Sequence, residues 1–407
     1  MKLYKPLQVC GYFLGAFPCF EHCDGFRVHW IGVTFKAVFL LLYWKITIAV
    51  IKISLMSLSS NGSPIKNKNL TSRVLNIDAI YVYMLFSESA TTLVCQLQFF
   101  RPSVYQLVND CFYHLCRLDD VSVTEQYFSA FSVVMLVLYE VAMYFILIQK
   151  RSHRTYKFYW LHVPLSNLAC IMLEQFFYLM CISLYMRLGK LHQQIKGLLD
   201  KAERPRWKCW MTTKAGGPTR LGIPAFSASD IQDLRSVHRA CMDMFKRVNR
   251  VFQLPVLLCL VDSGFRIVVF LYSIAFDVTI VVWGKKDNID YETIAVYVGY
   301  ILTRIFRVLY LHVCEYYVTK EISPISLSLS NLTLLLNPIA RRRLMPEIVL
   351  FQAQLKSIKS RFNIFNLVNV NIALLYAESG TVIAYTAFML QFFALEPVLN
   401  QKNSTIT

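Results

Sequence analysis

Apolar runs long enough to cross a bilayer alternate with shorter polar segments almost from one end of the chain to the other. A crossing takes roughly 20 residues at ~1.5 Å of rise each. Seven stretches reach that length, at residues 37–58, 79–99, 127–149, 159–186, 251–283, 292–318 and 366–396. The pattern predicts an all-α membrane protein with seven transmembrane helices and no separate soluble domain. The last stretch is too long for one perpendicular crossing, so it is expected to tilt, bend or project.

The polar intervals carry periodicity of their own. In the long interval 187–250, Leu188, Leu191, Ile195 and Leu198 precede a Gly-Gly-Pro break at 216–218, and Ile231, Leu234, Val237, Cys241 and Phe245 follow it. This three- and four-residue spacing predicts that the fourth and fifth helices run well past the membrane. Ser227 or Ser229 is placed to cap the second of these segments, with Asp230 and Asp233 in its first turn. In the interval 319–365, a stripe of Ile348, Phe351, Leu355, Ile358 and Phe362 needs a partner. A cytosolic helical assembly from the fourth, fifth, sixth and pre-seventh helices is therefore expected, and it is a place where subunits can meet.

Composition agrees with the pattern. The 407 residues are 56% hydrophobic with mean hydropathy +0.44 and 16% charged, against about 25% charged in soluble domains. Lys and Arg set the orientation: with the N-terminus cytosolic and the C-terminus extracellular, 27 fall in inner segments and 10 in outer ones. The net charge of +17 thus faces anionic lipid headgroups and gives no indication of nucleic acid. Sequons at Asn61, Asn69 and Asn403 fall on the outer side and are candidate glycosylation sites, whereas Asn331 would be cytosolic.

The twelve cysteines avoid the outer loops, so no disulfide framework is expected. The clusters Cys19 to Cys23 and Cys111 to Cys116 lack four ligands at a zinc spacing, so no metal is expected. No GxSxG, HExxH or phosphate-cradling glycine loop occurs, and neither an enzyme nor a cofactor is implied. The apolar run 7–20 follows Lys2 and Lys5 as a signal peptide would but lacks a small-x-small cleavage site. An amphipathic or half-buried cytosolic helix is the better expectation there.

Charges at membrane depth point by default to function. They are Glu88, Glu140, Glu174, Asp262, Arg266, Arg304, Arg307 and Glu315. Asp262 stands four residues before Arg266, the order that favours an intrahelical pair, and that pair reads as structural. Glu140 and Arg304 fall on the outer halves of their helices. Near them at similar depth are Tyr81, Tyr83, Tyr139, Tyr144, Trp160, His162, Tyr272, Asp277, Tyr297 and Tyr300. Aromatic walls with a few convergent polar groups suit a small-molecule pocket, while single tyrosines also populate the interfacial belt.

The last apolar stretch contains Ala384-Tyr385-Thr386-Ala387-Phe388-Met389-Leu390-Gln391-Phe392-Phe393. On a helix, Ala377, Gly380, Thr381, Ala384, Phe388, Gln391 and Leu395 share one face, and Tyr385, Met389 and Phe392 a neighbouring one with Glu378. Small residues allow close helix approach. Packing does not require Gln391, whose amide in lipid needs another polar group or water.

At these residues the chain resembles the insect gustatory receptors, whose last helix carries Thr-Tyr, five hydrophobic residues and Gln-Phe. Tyr385, the five residues 386–390 and Gln391-Phe392 match that spacing, while Ala384 replaces the threonine. The upstream run 362–380 and, more weakly, Gly11 to Phe20 share the family's look, and the seven-span topology extends the resemblance over the whole chain.

The resemblance implies a ligand-gated, non-selective cation channel, a homo- or heterotetramer with other gustatory receptor subunits, at the plasma membrane of sensory neurons. It implies six ligand-sensing spans over 37–318, a cytosolic anchor at 319–365, a pore-lining helix at 366–396 and an extracellular tail at 397–407, after a cytosolic segment 1–36. Tyr385, Phe388, Gln391 and Phe392 then form the pore and gate. The family's sugar-sensing branch places a glutamate where this chain has Thr386, so a bitter or other non-sugar tastant is expected. The related odorant receptors are the nearest alternative. A G-protein-coupled receptor would need an extracellular N-terminus and an acidic-Arg-Tyr triplet after the third span, and a transporter would need saturable uptake.

Overall fold

The structure is a computed structural model that describes residues 19–22, 25–28, 41, 44, 45, 47, 48, 52, 77–98, 104, 106, 107, 138, 139, 142, 154–213, 226–282, 291–336, 338–357, 361–365 and 367–404. In chain order the described elements are β1 (Cys19–His22), β2 (Gly25–Val28), α1 (Ile77–Gln98), α2 (Arg154–Thr213), α3 (Ala228–Val282), α4 (Tyr291–Leu335), α5 (Pro338–Ser357), β3 (Asn363–Ile364), β4 (Val368–Asn369) and α6 (Ile372–Ser404). The expected spans 37–58 and 127–149 lie outside the described residues apart from isolated helical positions.

Helix length is the first consequence of the long apolar periodicity. The 60 residues of α2 extend about 90 Å, three times the roughly 30 Å hydrocarbon core of a bilayer. The 55 residues of α3 also exceed one crossing. Ser227 starts α3: its backbone N–H donates to Asp230 Oδ2 at 2.6 Å, the return half of a capping box. That bond and a second one from the Ser227 hydroxyl hold the Asp230 carboxyl below its ordinary range. Pro338 opens α5, where a missing N–H costs nothing.

The chain divides into two compact units. Unit 1 comprises Met1–Phe176, Phe252–Leu311 and Ile372–Thr407, and unit 2 comprises Phe177–Val251 and His312–Asn371.

Unit 2 is a helical assembly with an apolar core. Leu188, Leu191 and Ile195 of α2, Ile231, Cys241 and Val248 of α3, Ile325, Leu329 and Leu332 of α4, and Leu344, Ile348 and Phe351 of α5 are all buried. Phe362 completes it, meeting Phe177 edge-on at 4.9 Å and Phe245 at 6.4 Å between ring centroids. His238 stands in this core against Phe351, and Gln354 bridges its Nδ1 at 2.8 Å to the Arg235 carbonyl at 3.2 Å. Burial pushes the His238 pKa down to about 4, so the ring is neutral.

Several boundaries differ from the sequence expectation. Beyond the expected span 292–318 the sixth helix continues as α4 to Leu335, as its place in the helical assembly requires, carried by the apolar periodicity of Ile325, Leu329 and Leu332. The seventh helix begins at Ile372 and not at 366, because Asn363–Ile364 and Val368–Asn369 form a hairpin, Asn363 pairing with Asn369 and Ile364 with Val368. Phe365 takes φ 52 in its turn, a conformation that costs a side chain of this size on the order of 1 kcal/mol. Buried Phe362, Ile364 and Val370 on either side hold it. At the other end α6 runs to Ser404 through most of the expected tail, since Leu395, Val398 and Leu399 keep the helical spacing. Of the expected N-terminal helix, residues 7–18 lie outside the described residues, and Cys19 and Phe20 belong to the β1–β2 hairpin.

Candidate ligand region and pore helix

Unit 1 buries charge. Arg266, fully enclosed, places Nε 2.8 Å from Asp262 Oδ2 and Nη2 2.9 Å from Glu88 Oε2. Asp262 also accepts a hydrogen bond from Ser87 Oγ at 3.2 Å and faces Arg304 Nη1 at 3.6 Å. The sequence spacing foresaw the pairing of Asp262 with Arg266, one turn apart on α3. It gave no sign of Glu88 from α1 or Arg304 from α4, because only the tertiary fold brings them together.

A second pair joins α2 to α4. Arg307 grips Glu174 with both ends of its fork, Nε to Oε2 and Nη2 to Oε1, each at 2.7 Å. The three arginines and three carboxylates balance in charge. A buried charge is tolerable only when so compensated, and removing one partner typically costs about 3–5 kcal/mol.

Beside this network on α3 and α4 lies an aromatic cluster. Phe270 stacks on Tyr297 at 5.5 Å and on Tyr300 at 5.3 Å, and Tyr139 meets Tyr300 edge-on at 6.4 Å. Tyr272, Tyr297 and Tyr300 are buried, and Tyr139 is half-buried. The structure thus sets two of the candidate ligand residues, Tyr297 and Tyr300, on Phe270 and a third, Tyr139, on Tyr300; Phe270 itself gave no signal in the sequence, where it is one apolar ring in a span. Arg304 is turned to Asp262. Tyr81 and Tyr83 on α1 and Trp160 and His162 on α2 lie outside the residues whose side chains are described, as does Asp277 on α3, while Glu140 and Tyr144 lie wholly outside the described residues. The same holds for the sequons at Asn61 and Asn69 and for the side chain of Asn403.

The last helix is built differently. No residue of its apolar window Ile372–Gln391 is buried. Half-buried positions form one stripe of Leu375, Glu378, Val382, Thr386 and Met389, and Val382 Cγ2 lies 3.9 Å from where a Cβ on Gly264 would sit, so this stripe rests on α3. Ala377, Gly380, Thr381, Ala384, Phe388 and Gln391 are all exposed, and so is Tyr385. The side chain of Phe392 lies outside the described residues.

Polar groups on α6 divide into two kinds. The hydroxyls of Ser379, Thr381 and Thr386 fold back onto the carbonyls of Leu375, Ala377 and Val382, each at 2.8 Å, which satisfies them within the helix. Gln391 is instead exposed. An apolar helix with one face on its own fold and the rest uncovered belongs against lipid or other protein.

These features describe a multi-helix protein with apolar helices fit for a membrane and charges paired inside its helical core. The 7tm chemosensory receptor family model matches residues 4–394, and the chain belongs to that family. Two solved structures share its fold: the insect olfactory receptor OR5 from Machilis hrabei in complex with eugenol, and the same receptor without it. They are each 12% identical in sequence, with TM-scores of 0.67 and 0.65, over 96% of this chain and 98% of theirs. Among the curated proteins none matches this chain in sequence.

Proposed function

We propose that this chain is a gustatory receptor subunit: a tastant-gated, non-selective cation channel, opened at the cell surface by a bitter or other non-sugar small molecule. The observation that carries the reading is α6, whose exposed face holds the Tyr385 and Gln391 of the family-like motif. Four such faces around a common axis would cover the helix and hydrate the Gln391 amides. In the closed state an apolar ring that includes Phe388 and Phe392 keeps water out, and dilation admits it, which is gating by dewetting.

The ligand region is assigned to the aromatic cluster Tyr139, Tyr297 and Tyr300, with Tyr272 and the remaining candidates Tyr81, Tyr83, Glu140, Tyr144, Trp160 and Arg304. A ligand there opens the pore by binding the open state more tightly. In this topology the N-terminus and unit 2 are cytosolic, unit 2 anchors the subunits, and the receptor resides in the plasma membrane of sensory neurons.

Patch-clamp recording of cells expressing the chain, alone and with co-receptor subunits, tests the reading against panels of bitter alkaloids, sugars and volatile phenols. The expected result is a cation current evoked by a non-sugar tastant. A response confined to volatiles would place the chain with the odorant-type receptors, a reading that the fold shared with OR5 favours. An extracellular N-terminal tag, or uptake without current, would overturn both.

A further inference from the structure

Three cysteines far apart in sequence meet inside unit 1. Cys95 of α1, Cys170 of α2 and Cys259 of α3 are buried as free thiols, and their sulfurs all lie within 4.8 Å of one another. The Cys95 and Cys170 sulfurs are 3.9 Å apart. We propose that this triad is a three-coordinate site for a soft monovalent cation, copper(I).

The geometry fits a metal better than a disulfide. With metal–sulfur bonds of about 2.3 Å, three sulfurs around one ion stand about 4.0 Å apart. Cys95 and Cys170 already have that separation, and the widest pair needs to close by less than about 1 Å. A disulfide would require the same two sulfurs to approach to about 2.05 Å and would need an oxidant.

Donor chemistry then selects the ion. Thiolates in a water-poor site favour copper(I) and zinc, but structural zinc takes four ligands. Among the described residues no fourth His, Cys, Asp or Glu joins the group, and the nearby Glu174 carboxylate is engaged by Arg307. Copper enters and remains as copper(I), so no electron moves. Each thiol that becomes a ligand gives its proton to solvent, and its sulfur lone pair forms the metal–sulfur bond.

The thiolates would stand beside a guanidinium that Glu174 already neutralises. Arg307 lies within electrostatic reach of Cys170 and Cys259. Its Nη1 is buried with no hydrogen-bond partner among the described residues. An ion there would tie together α1, α2 and α3, the helices that carry Glu88, Glu174, Asp262 and Arg266.

The test is a titration of the purified receptor in lipid nanodiscs with copper(I), without oxygen, against a competing chromogenic chelator. The wild type is expected to retain about one equivalent per chain. Cys170→Ser is expected to lose it, and Cys314→Ser, at a buried cysteine of unit 2, to keep it. X-ray absorption of the loaded wild type, which depends on no variant, is expected to show three sulfur neighbours and no nitrogen or oxygen. Uptake unchanged in Cys170→Ser, no uptake by the wild type, or a copper shell of nitrogen and oxygen would each overturn the assignment.

Discussion

The two units of this chain solve opposite problems with the same element, the long helix. Among the described residues, the buried charges Glu88, Glu174, Asp262, Arg266, Arg304 and Arg307 fall in unit 1, and unit 2 buries Glu315 alone. Unit 2 closes over leucine, isoleucine and phenylalanine and keeps ion pairs such as Arg235 with Glu347, at 3.2 Å, where water reaches them. The lesson is that charge in unit 1 is matched across elements: each arginine meets a carboxylate from another helix or from one turn away.

That contrast predicts a ranking of mutational costs. Arg266→Met takes the arginine from Glu88 and leaves Asp262 with Arg304 and Ser87, and should destabilise the receptor by about 3–5 kcal/mol, read as loss of folded surface protein and of the thermal transition in detergent. A shift no larger than that of an exposed-pair variant would break the comparison. In unit 2 the largest effect should come from the apolar core: Phe351→Ala is expected to cost on the order of 3 kcal/mol by thermal unfolding.

Next comes acid. His238 is neutral in the folded unit with a pKa near 4, whereas the unfolded chain binds a proton below about 6.5. Unfolding therefore takes up a proton in this window, and stability should fall as pH drops from about 6.5 to about 4, by roughly 2 kcal/mol. His238→Gln should flatten that segment of a stability-versus-pH curve. Asp230→Ala should cost about 1 kcal/mol through the lost cap on the Ser227 N–H, seen as faster hydrogen exchange in the first turn of α3. Smallest of all, Arg235→Ala should cost less than about 1 kcal/mol and lose even that at high salt.

Local signals were legible in the sequence and partnerships were not. The pairing of Asp262 with Arg266 and the cap at Ser227 rest on residues four apart or fewer, and spacing reveals those. The grip of Arg307 on Glu174 and the meeting of Cys95, Cys170 and Cys259 join residues from 75 to 164 positions apart. The start of the last helix was missed because Asn363, Asn366, Asn369 and Asn371 interrupt the apolar run without ending it, and the burial of Phe362 and Ile364 decides for the hairpin.

The central claim is that the exposed face of α6 lines a pore. It is tested most directly by Gln391→Cys in cells carrying a tastant-evoked current, treated from outside with a charged, thiol-specific methanethiosulfonate reagent. The account predicts modification that changes the current within seconds, faster in the presence of tastant, while the parent receptor with its native cysteines is insensitive. Labelling of the introduced thiol that leaves conductance and selectivity untouched would contradict it.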